Sequence, residues 1–248
     1  MNKRPRHHIG KLILAQVLTT RQIMRILDHK LSHYRYFTFN GQQLAYFFHS
    51  YNCFRVNERA VEVPIIKYYL DQGNYQNVLE IGNVTNYYYD YFRQSFVKKT
   101  VVDKGEQGYG VLTMDIADYI APEPFDFVFS ISTFEHMDSD RGRNPDYVPG
   151  QSELISYAAD NIRHVGRNLL AEGGKFVLTA PLGYAQEWDE TIFSNAFDQC
   201  GFTNYRVAVL RRLTELTWEQ TQLAEVDRRA FDYSTTLVNY VSVVEFVK

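Results

Sequence analysis

Between residues 77 and 136, short apolar runs keep ending in polar or acidic residues. Asn77-Val78-Leu79 leads into Glu80-Ile81-Gly82, Thr100-Val101-Val102 into Asp103, and Met114-Asp115-Ile116 follows. Phe125 to Phe129 then leads into Ser130-Ile131-Ser132-Thr133-Phe134-Glu135-His136. Short, continuously apolar runs are what strands of a parallel sheet need when helices bury both faces. Such a sheet delivers its polar residues at the strand carboxyl ends, and ligands sit there, in the crevice where the strand order reverses. Asp103 follows Glu80 by 23 residues, near the separation of about 20 at which a carboxylate reaches ribose hydroxyls in such units. The segment reads as a nucleoside-binding α/β crevice.

The alternation extends on both sides. Ile13, Val17, Ile23, Ile26, Leu27 and Leu31 recur at helical spacing within 9–31, an N-terminal appendage. Tyr36–Phe39 reads as a short strand stopped by Asn40-Gly41, residues that tolerate positive φ. Gln42 to Tyr51 reads as an aromatic-rich helix or lid. Asn57 is placed to cap a helix with Glu58 in its first turn, interrupted at Pro64 and resuming over Ile65–Leu70. Further expectations are a crossover helix over Asn86–Phe96, a strand over Val97–Val102 and a long helix over Ser152–Leu170 stopped by Gly173-Gly174. Lys175–Ala180 is a strand, Phe193–Cys200 a helix, and Tyr205–Leu210 and Leu237–Val247 two closing strands. The 26 residues from Arg211 to Thr236 form a partly helical insertion.

At 248 residues the chain can bury one large core. A net charge of -3 argues against a nucleic-acid platform that must neutralise many phosphates. The basic cluster Lys3, Arg4, Arg6 and Lys11 reads as a solvated terminus. Cys53 and Cys200 are too few and too far apart for a disulfide framework or a zinc site, pointing to a reducing, cytoplasmic setting. No apolar run approaches the roughly 18 residues needed to span a bilayer, so no membrane partner is expected.

A pyrophosphate site needs several glycines so that backbone can approach phosphates at a helix N-terminus. After Gly82, however, come Asn83, Val84, Thr85, Asn86 and Tyr87. A dinucleotide is therefore disfavoured against a nucleoside without phosphates, which also counts against a nicotinamide oxidoreductase. From Val78 to the final strand the chain resembles the class I, Rossmann-like S-adenosylmethionine-dependent methyltransferases. Their first motifs look like Glu80-Ile81-Gly82, Val102-Asp103 and Met114-Asp115-Ile116. A fourth is similar to Phe125–Ser130 followed by Glu135-His136, and Gly173-Gly174-Lys175-Phe176 looks like the approach to their fifth strand. The whole chain, including Asn57–Pro64, also resembles bacterial proteins associated with surface-glycan gene clusters.

The resemblance implies an α/β domain over 73–248: a seven-stranded, mostly parallel sheet with an antiparallel last strand, flanked by helices. Residues 1–72 would form a helical and aromatic cover. It implies S-adenosylmethionine as cofactor. Glu80 and Gly82 would border its methionine part, Asn83 would also bind the cofactor, Asp103 would accept both ribose hydroxyls, Asp115 and Ile116 would face adenine, and Ser130 would line the floor. The family usually has a second glycine where this chain has Val84, which leaves a non-catalytic, partner-binding relative as the alternative.

Methyl transfer from a sulfonium is a direct displacement that needs alignment more than acid-base machinery. A hydroxyl acceptor still gains from a nearby base, and His136, beside Glu135 after the fourth strand, is the candidate because an imidazole titrates near neutrality. One Glu and one His are too few to expect a metal. Arg59 and Glu62, three apart on one helical face, are candidate acceptor-binding residues or an ion pair. Tyr51, in the aromatic segment 46–54, is a third candidate that could stack on a sugar or ring, against a core reading. The expected acceptor is a small molecule or saccharide, methylated on oxygen or nitrogen.

Overall fold

A computed structural model describes residues 35–49, 57–141, 157–194, 196–197, 200–214, 217–233 and 238–248. The expected helices in 9–31, the basic cluster, Tyr51, Cys53 and the start of the helix expected from Ser152 lie outside these residues.

β1 (Tyr36–Phe39) and β2 (Gln42–Ala45) form an antiparallel hairpin. Its turn places Asn40 at φ 49° and Gly41 at φ 77°, the left-handed pair that matches the twist of paired strands. The helix or lid expected from Gln42 is thus corrected to a strand, because the Asn-Gly turn hands these residues a pairing partner. Phe37 and Phe39 are buried, and Phe39 packs edge-on against Tyr68 and Tyr69 of α1 (Arg59–Gln72).

Pro64 lies inside α1 without ending it. A proline has no N–H for the carbonyl four residues back, and here Phe47 fills the vacancy by donating its backbone N–H to Ala60 at 3.0 Å. The expected side-chain cap from Asn57 does not form: the N-cap position is Glu58, without a side-chain cap bond.

Among the described residues the main sheet has eight strands: β3 (Asn77–Ile81), β4 (Lys98–Asp103), β5 (Val111–Thr113), β6 (Phe125–Ile131), β7 (Leu170–Leu182), β8 (Asn204–Thr214), β9 (Thr217–Thr221) and β10 (Tyr240–Val247). Their order is β5-β4-β3-β6-β7-β10-β8-β9. The pairs among β3 to β7 are parallel, whereas β10 pairs antiparallel with β7 and β8, and β9 antiparallel with β8. This is the expected Rossmann-like α/β arrangement with one more strand, β9, where a partly helical insertion was expected. That segment holds the strand and two short 3-10 turns, Leu223–Glu225 and Arg228–Ala230.

Alternate residues of the central strands enter two apolar clusters. Leu79, Ile81, Val102, Phe176 and Leu178 join α4 (Tyr157–His164) and α5 (Gln186–Phe193) on one face. Val78, Phe127, Phe129 and Val177 join α1 and the hairpin on the other. Burying both faces of these central strands is the main source of stability here, at about 25 cal/mol per Å² of apolar surface.

Three helices depart from their expected spans. The crossover after β3 is only a 3-10 turn (Thr85–Tyr88) and a single turn of helix, α2 (Tyr89–Phe92), because a buried carboxylate draws in its first backbone donors, as described below. Gly173-Gly174 lie within β7, and the helix before it ends earlier, in a π turn over Val165–Leu169. These glycines instead exchange backbone bonds with the chain end, Gly173 N to Lys248 O and Lys248 N to Gly174 O. α5 ends at Phe193, where a helix was expected to begin, because Trp188 and Ile192 supply its buried face. Among the described residues no helix is long and apolar enough to cross a membrane.

Candidate active site

The chain runs β3, β4, β5 in one direction across the sheet and then returns to the far side of β3 with β6. The carboxyl ends of β3 and β6 therefore bracket the point where strand order reverses, the position at which such sheets bind ligands. A cavity of about 330 Å³ opens there, within the size range of small-ligand sites. Its wall follows the strand carboxyl ends: Met114 to Ile116 after β5, Asp103 to Glu106 at the end of β4, Gly82 to Val84 after β3, and Ser132, Thr133, His136 and Met137 from β6 into α3 (Phe134–Arg141). Arg59 and Tyr157 close it from α1 and α4. With neighbouring strands about 4.8 Å apart, the polar strand ends span about 14 Å.

Asp103 Oδ1 accepts the N–H groups of Gly105 (2.8 Å) and Glu106 (2.7 Å), while among the described residues Oδ2 accepts only that of Asn83 (2.9 Å). Asn83 and Glu106 are further tied by an Nδ2–Oε2 bond of 2.7 Å, so the loops after β3 and β4 are stitched together. Asp115 accepts from Ala117 N, the Tyr157 hydroxyl and Lys104 Nζ (3.0 Å). Burial opposes its ionisation, but the hydrogen bonds from Tyr157, Ala117 and Lys104, with the Lys104 charge, prevail and hold its carboxyl below the usual range.

Gly82 has φ +89°, and a Cβ there would sit 2.2 Å from Thr133 Oγ1. Only glycine fits, since both the left-handed backbone and the close approach exclude a side chain. Val84, in the place of a second glycine, lies at the cavity wall and packs against the apolar cluster on the α1 face.

Two residues expected in the pocket lie behind it. Glu80 is fully buried and does not reach the cavity. Its carboxylate accepts from Val84 N (2.9 Å), Thr85 N (2.6 Å) and the Thr85 hydroxyl, and pairs with Lys99 Nζ at 2.8 Å. This network shapes the loop without a glycine-rich sequence and tightens the turn that follows. Ser130 donates to Ile81 O at 2.8 Å, joining β6 to β3 beneath the cavity.

On the β6 side, His136 lines the cavity with its side chain half exposed and its ring edge-on to Tyr184 at 5.0 Å. Glu135 does not line the cavity. It is buried, its Oε2 has no hydrogen-bond partner among the described residues, and Oε1 lies 3.7 Å from His136 Nε2. Burial, reinforced by nearby Glu62, pushes the Glu135 carboxyl well above the usual range against the opposing pull of Arg59. Arg59 and Glu62 form an ion pair of 3.0 Å in which Arg59 lines the cavity and Glu62 is fully buried beneath it. Burial disfavours the Arg59 charge, yet Glu62, Glu135 and Glu58 outweigh it and raise the guanidinium pKa.

The sequence reading missed Lys104, Glu106, Ser132, Thr133 and Tyr157. The first four directly follow strand ends already singled out, so the rule that loops after parallel strands bind ligands would have found them. Tyr157 arrives from a helix distant in sequence, and no local signal marks it.

No protein-family model matches the sequence, and no curated protein matches it. Among solved structures the chain is similar to the N-methyltransferase NodS from Bradyrhizobium japonicum WM9 in complex with S-adenosyl-L-homocysteine, with 17% identity, 77% of this chain and 87% of that one covered, and a TM-score of 0.47. It is also similar to a SAM-dependent methyltransferase from Archaeoglobus fulgidus (13% identity, 74% and 93% covered, TM-score 0.48). A third is Haemonchus contortus phosphoethanolamine N-methyltransferase 2 in complex with S-adenosyl-L-methionine (16% identity, 78% and 54% covered, TM-score 0.44). The fold class rests on the chain's own strand order: a Rossmann-like α/β sheet with antiparallel closing strands and a polar cavity at its switch point.

Proposed function

We propose that this protein is an S-adenosylmethionine-dependent methyltransferase acting on an oxygen or nitrogen of a small-molecule or saccharide acceptor. The observation that carries the reading is the line of Asp115, Asp103 and Gly82 along three adjacent strand ends, all facing one cavity. The cavity wall carries the carboxylates Asp103, Glu106 and Asp115 against Arg59 and Lys104, both already paired to carboxylates. Such a wall repels a pyrophosphate and tolerates a cation. The crossover after Gly82 is too short to present a helix N-terminus to a phosphate.

Asp115 and Ile116 would meet adenine at the β5 end. Three of the roughly four acceptor positions of the Asp103 carboxylate are taken by backbone N–H groups. The position left on Oδ2 fits one ribose hydroxyl where two were expected. Asn83 and Glu106 hold that carboxylate in place, and Gly82 lets the backbone approach the ligand beyond the ribose. When bound, the cofactor supplies an electrophilic methyl group on sulfur. His136, at the β6 side of the cavity, would take the proton released by a hydroxyl or amine acceptor. Glu135, buried with its Oε1 3.7 Å from His136 Nε2, has its carboxyl pushed up by burial and does not line the cavity. The resemblance to proteins of surface-glycan gene clusters directs the acceptor search to saccharides.

The test is calorimetric titration with S-adenosylmethionine and S-adenosylhomocysteine, on the wild type and on Asp103→Asn. The amide keeps one acceptor oxygen for the loop and removes the charge. Wild type is expected to bind both ligands, and the variant to lose about tenfold in affinity, roughly 1.4 kcal/mol, while staying folded. Tight NAD binding with no response to either sulfur ligand would remove the proposal.

A further inference from the structure

Glu62 does not reach the cavity, yet two parts of the cavity wall are fastened to it. Its Oε2 pairs with Arg59 Nη1 at 3.0 Å, and the Ser132 hydroxyl donates to both of its oxygens, at 2.7 Å and 2.9 Å. Glu62 is fully buried. Ser132 has φ +39°, a left-handed backbone that a residue with a Cβ holds only when its surroundings impose it. Two restraints do so: the Glu62 carboxylate on its hydroxyl, and the backbone bond from Ser132 N to Thr179 O at 2.7 Å.

The next residue, Thr133, stands against Gly82 so closely that no side chain fits between them. The contacts therefore run without a gap from Glu62 through Ser132 and Thr133 to the glycine of the switch point. The Glu62 ion pair, within one helix turn, holds the Arg59 side chain at the same end of the cavity. Replacing this carboxylate by an amide leaves the part-buried guanidinium with Glu135 and Glu58 as the remaining carboxylates that act on it, and a partly desolvated charge that loses its partner turns towards what is left.

We propose that Glu62 is a positioning residue. It sets the cavity wall at the β3–β6 end through Arg59 and the Ser132–Thr133 turn, and so governs binding of the ligand part that lies beyond the ribose. The proposal rests on the reading that this cavity holds S-adenosylmethionine. It also reassigns Glu62 from an acceptor contact to a support for residues that make contacts.

The experiment is titration of Glu62→Gln with two probes. S-adenosylhomocysteine spans the whole cavity, whereas 5′-methylthioadenosine keeps the nucleoside and sulfur and lacks the amino-acid group. S-adenosylhomocysteine affinity is expected to fall at least tenfold and methylthioadenosine affinity to change less than twofold, because Asp103 and Asp115 are untouched. Equal losses for both probes, or none for either, overturn the proposal. If Glu62→Gln does not fold, Ser132→Gly decides, since glycine accepts the left-handed backbone while its lack of a side chain takes away the hydroxyl that bonds Glu62. A several-fold loss confined to S-adenosylhomocysteine supports the proposal, and any other pattern in this variant overturns it. Wild-type protein that binds neither probe sinks the proposed function instead, a result distinct from all of these.

Discussion

Asp189 shows how one buried carboxyl can give this molecule a pH dependence. It is fully buried on α5, where both oxygens accept the Gly183 N–H (3.1 and 3.0 Å) and Oδ2 accepts the Tyr233 hydroxyl at 2.8 Å. Burial is the largest influence and raises its pKa to about 6, against the lowering by those donors and by Arg228. A pKa higher in the folded than in the unfolded state means that the folded protein binds the proton more tightly. The stabilisation is fully present below the ordinary carboxylate range and is lost as pH rises from about 4 to about 6. Asp189→Asn keeps an acceptor and cannot ionise, so it should lack this loss. Urea unfolding at a series of pH values is expected to show the variant gaining on wild type across that window, by up to about 3 kcal/mol, with no further gain above it. A constant difference from pH 4 to 7 would rule this account out.

At the scale of elements, the loop after β3 is held by charge rather than by glycines. Glu80 gathers two backbone N–H groups and a hydroxyl, and Lys99 closes the network on Glu80, Thr85 Oγ1 (2.6 Å) and Asn86 Oδ1 (3.0 Å). Lys99→Met would leave Glu80 buried without a counter-charge, which costs about 3 kcal/mol when one partner of a buried pair is removed. Denaturant titration should show that loss, and the double variant Lys99→Met with Glu80→Gln should recover part of it. Recovery is the informative result, because simple loss of lysine packing would not be relieved by the second change. α1 offers a parallel case: Pro64 frees the Ala60 carbonyl and the segment after the hairpin docks on it through Phe47, so an apparent helix breaker becomes an attachment point.

For the whole molecule, contacts distant in sequence join the hairpin to the far edge of the sheet. Tyr46, just after β2, accepts the backbone N–H of Trp218 in β9 at 2.7 Å, and Asn40 donates its N–H to Gln220 at 2.7 Å. The hairpin, α1 and the sheet share one apolar cluster. Tyr46→Phe removes the buried acceptor and leaves the Trp218 N–H without it, a loss of about 1–3 kcal/mol. Thermal unfolding of this variant is expected to remain a single transition at lower temperature. Two separated transitions would show instead that the hairpin and the sheet unfold independently.

The parallel strands, their order of appearance and the residues at their ends were legible in the sequence, because apolar run length and strand-end polarity are local properties. β6 (Phe125–Ile131) covers the apolar run from Phe125 to Phe129, and Gly82, Asp103, Asp115 and His136 came to one cavity. Local pattern did not reveal which polar residues turn outward. Glu80, Glu62, Glu135 and Ser130 carry the same chemistry as the cavity residues, yet each faces an interior partner or the core. β9 likewise became a strand because β8 presented an edge to pair with, and α1 continued through Pro64 because a distant N–H took its unpaired carbonyl. Periodicity within the chain determined the sheet, whereas the direction of each buried charge was decided by partners that only the tertiary fold brings within hydrogen-bonding distance.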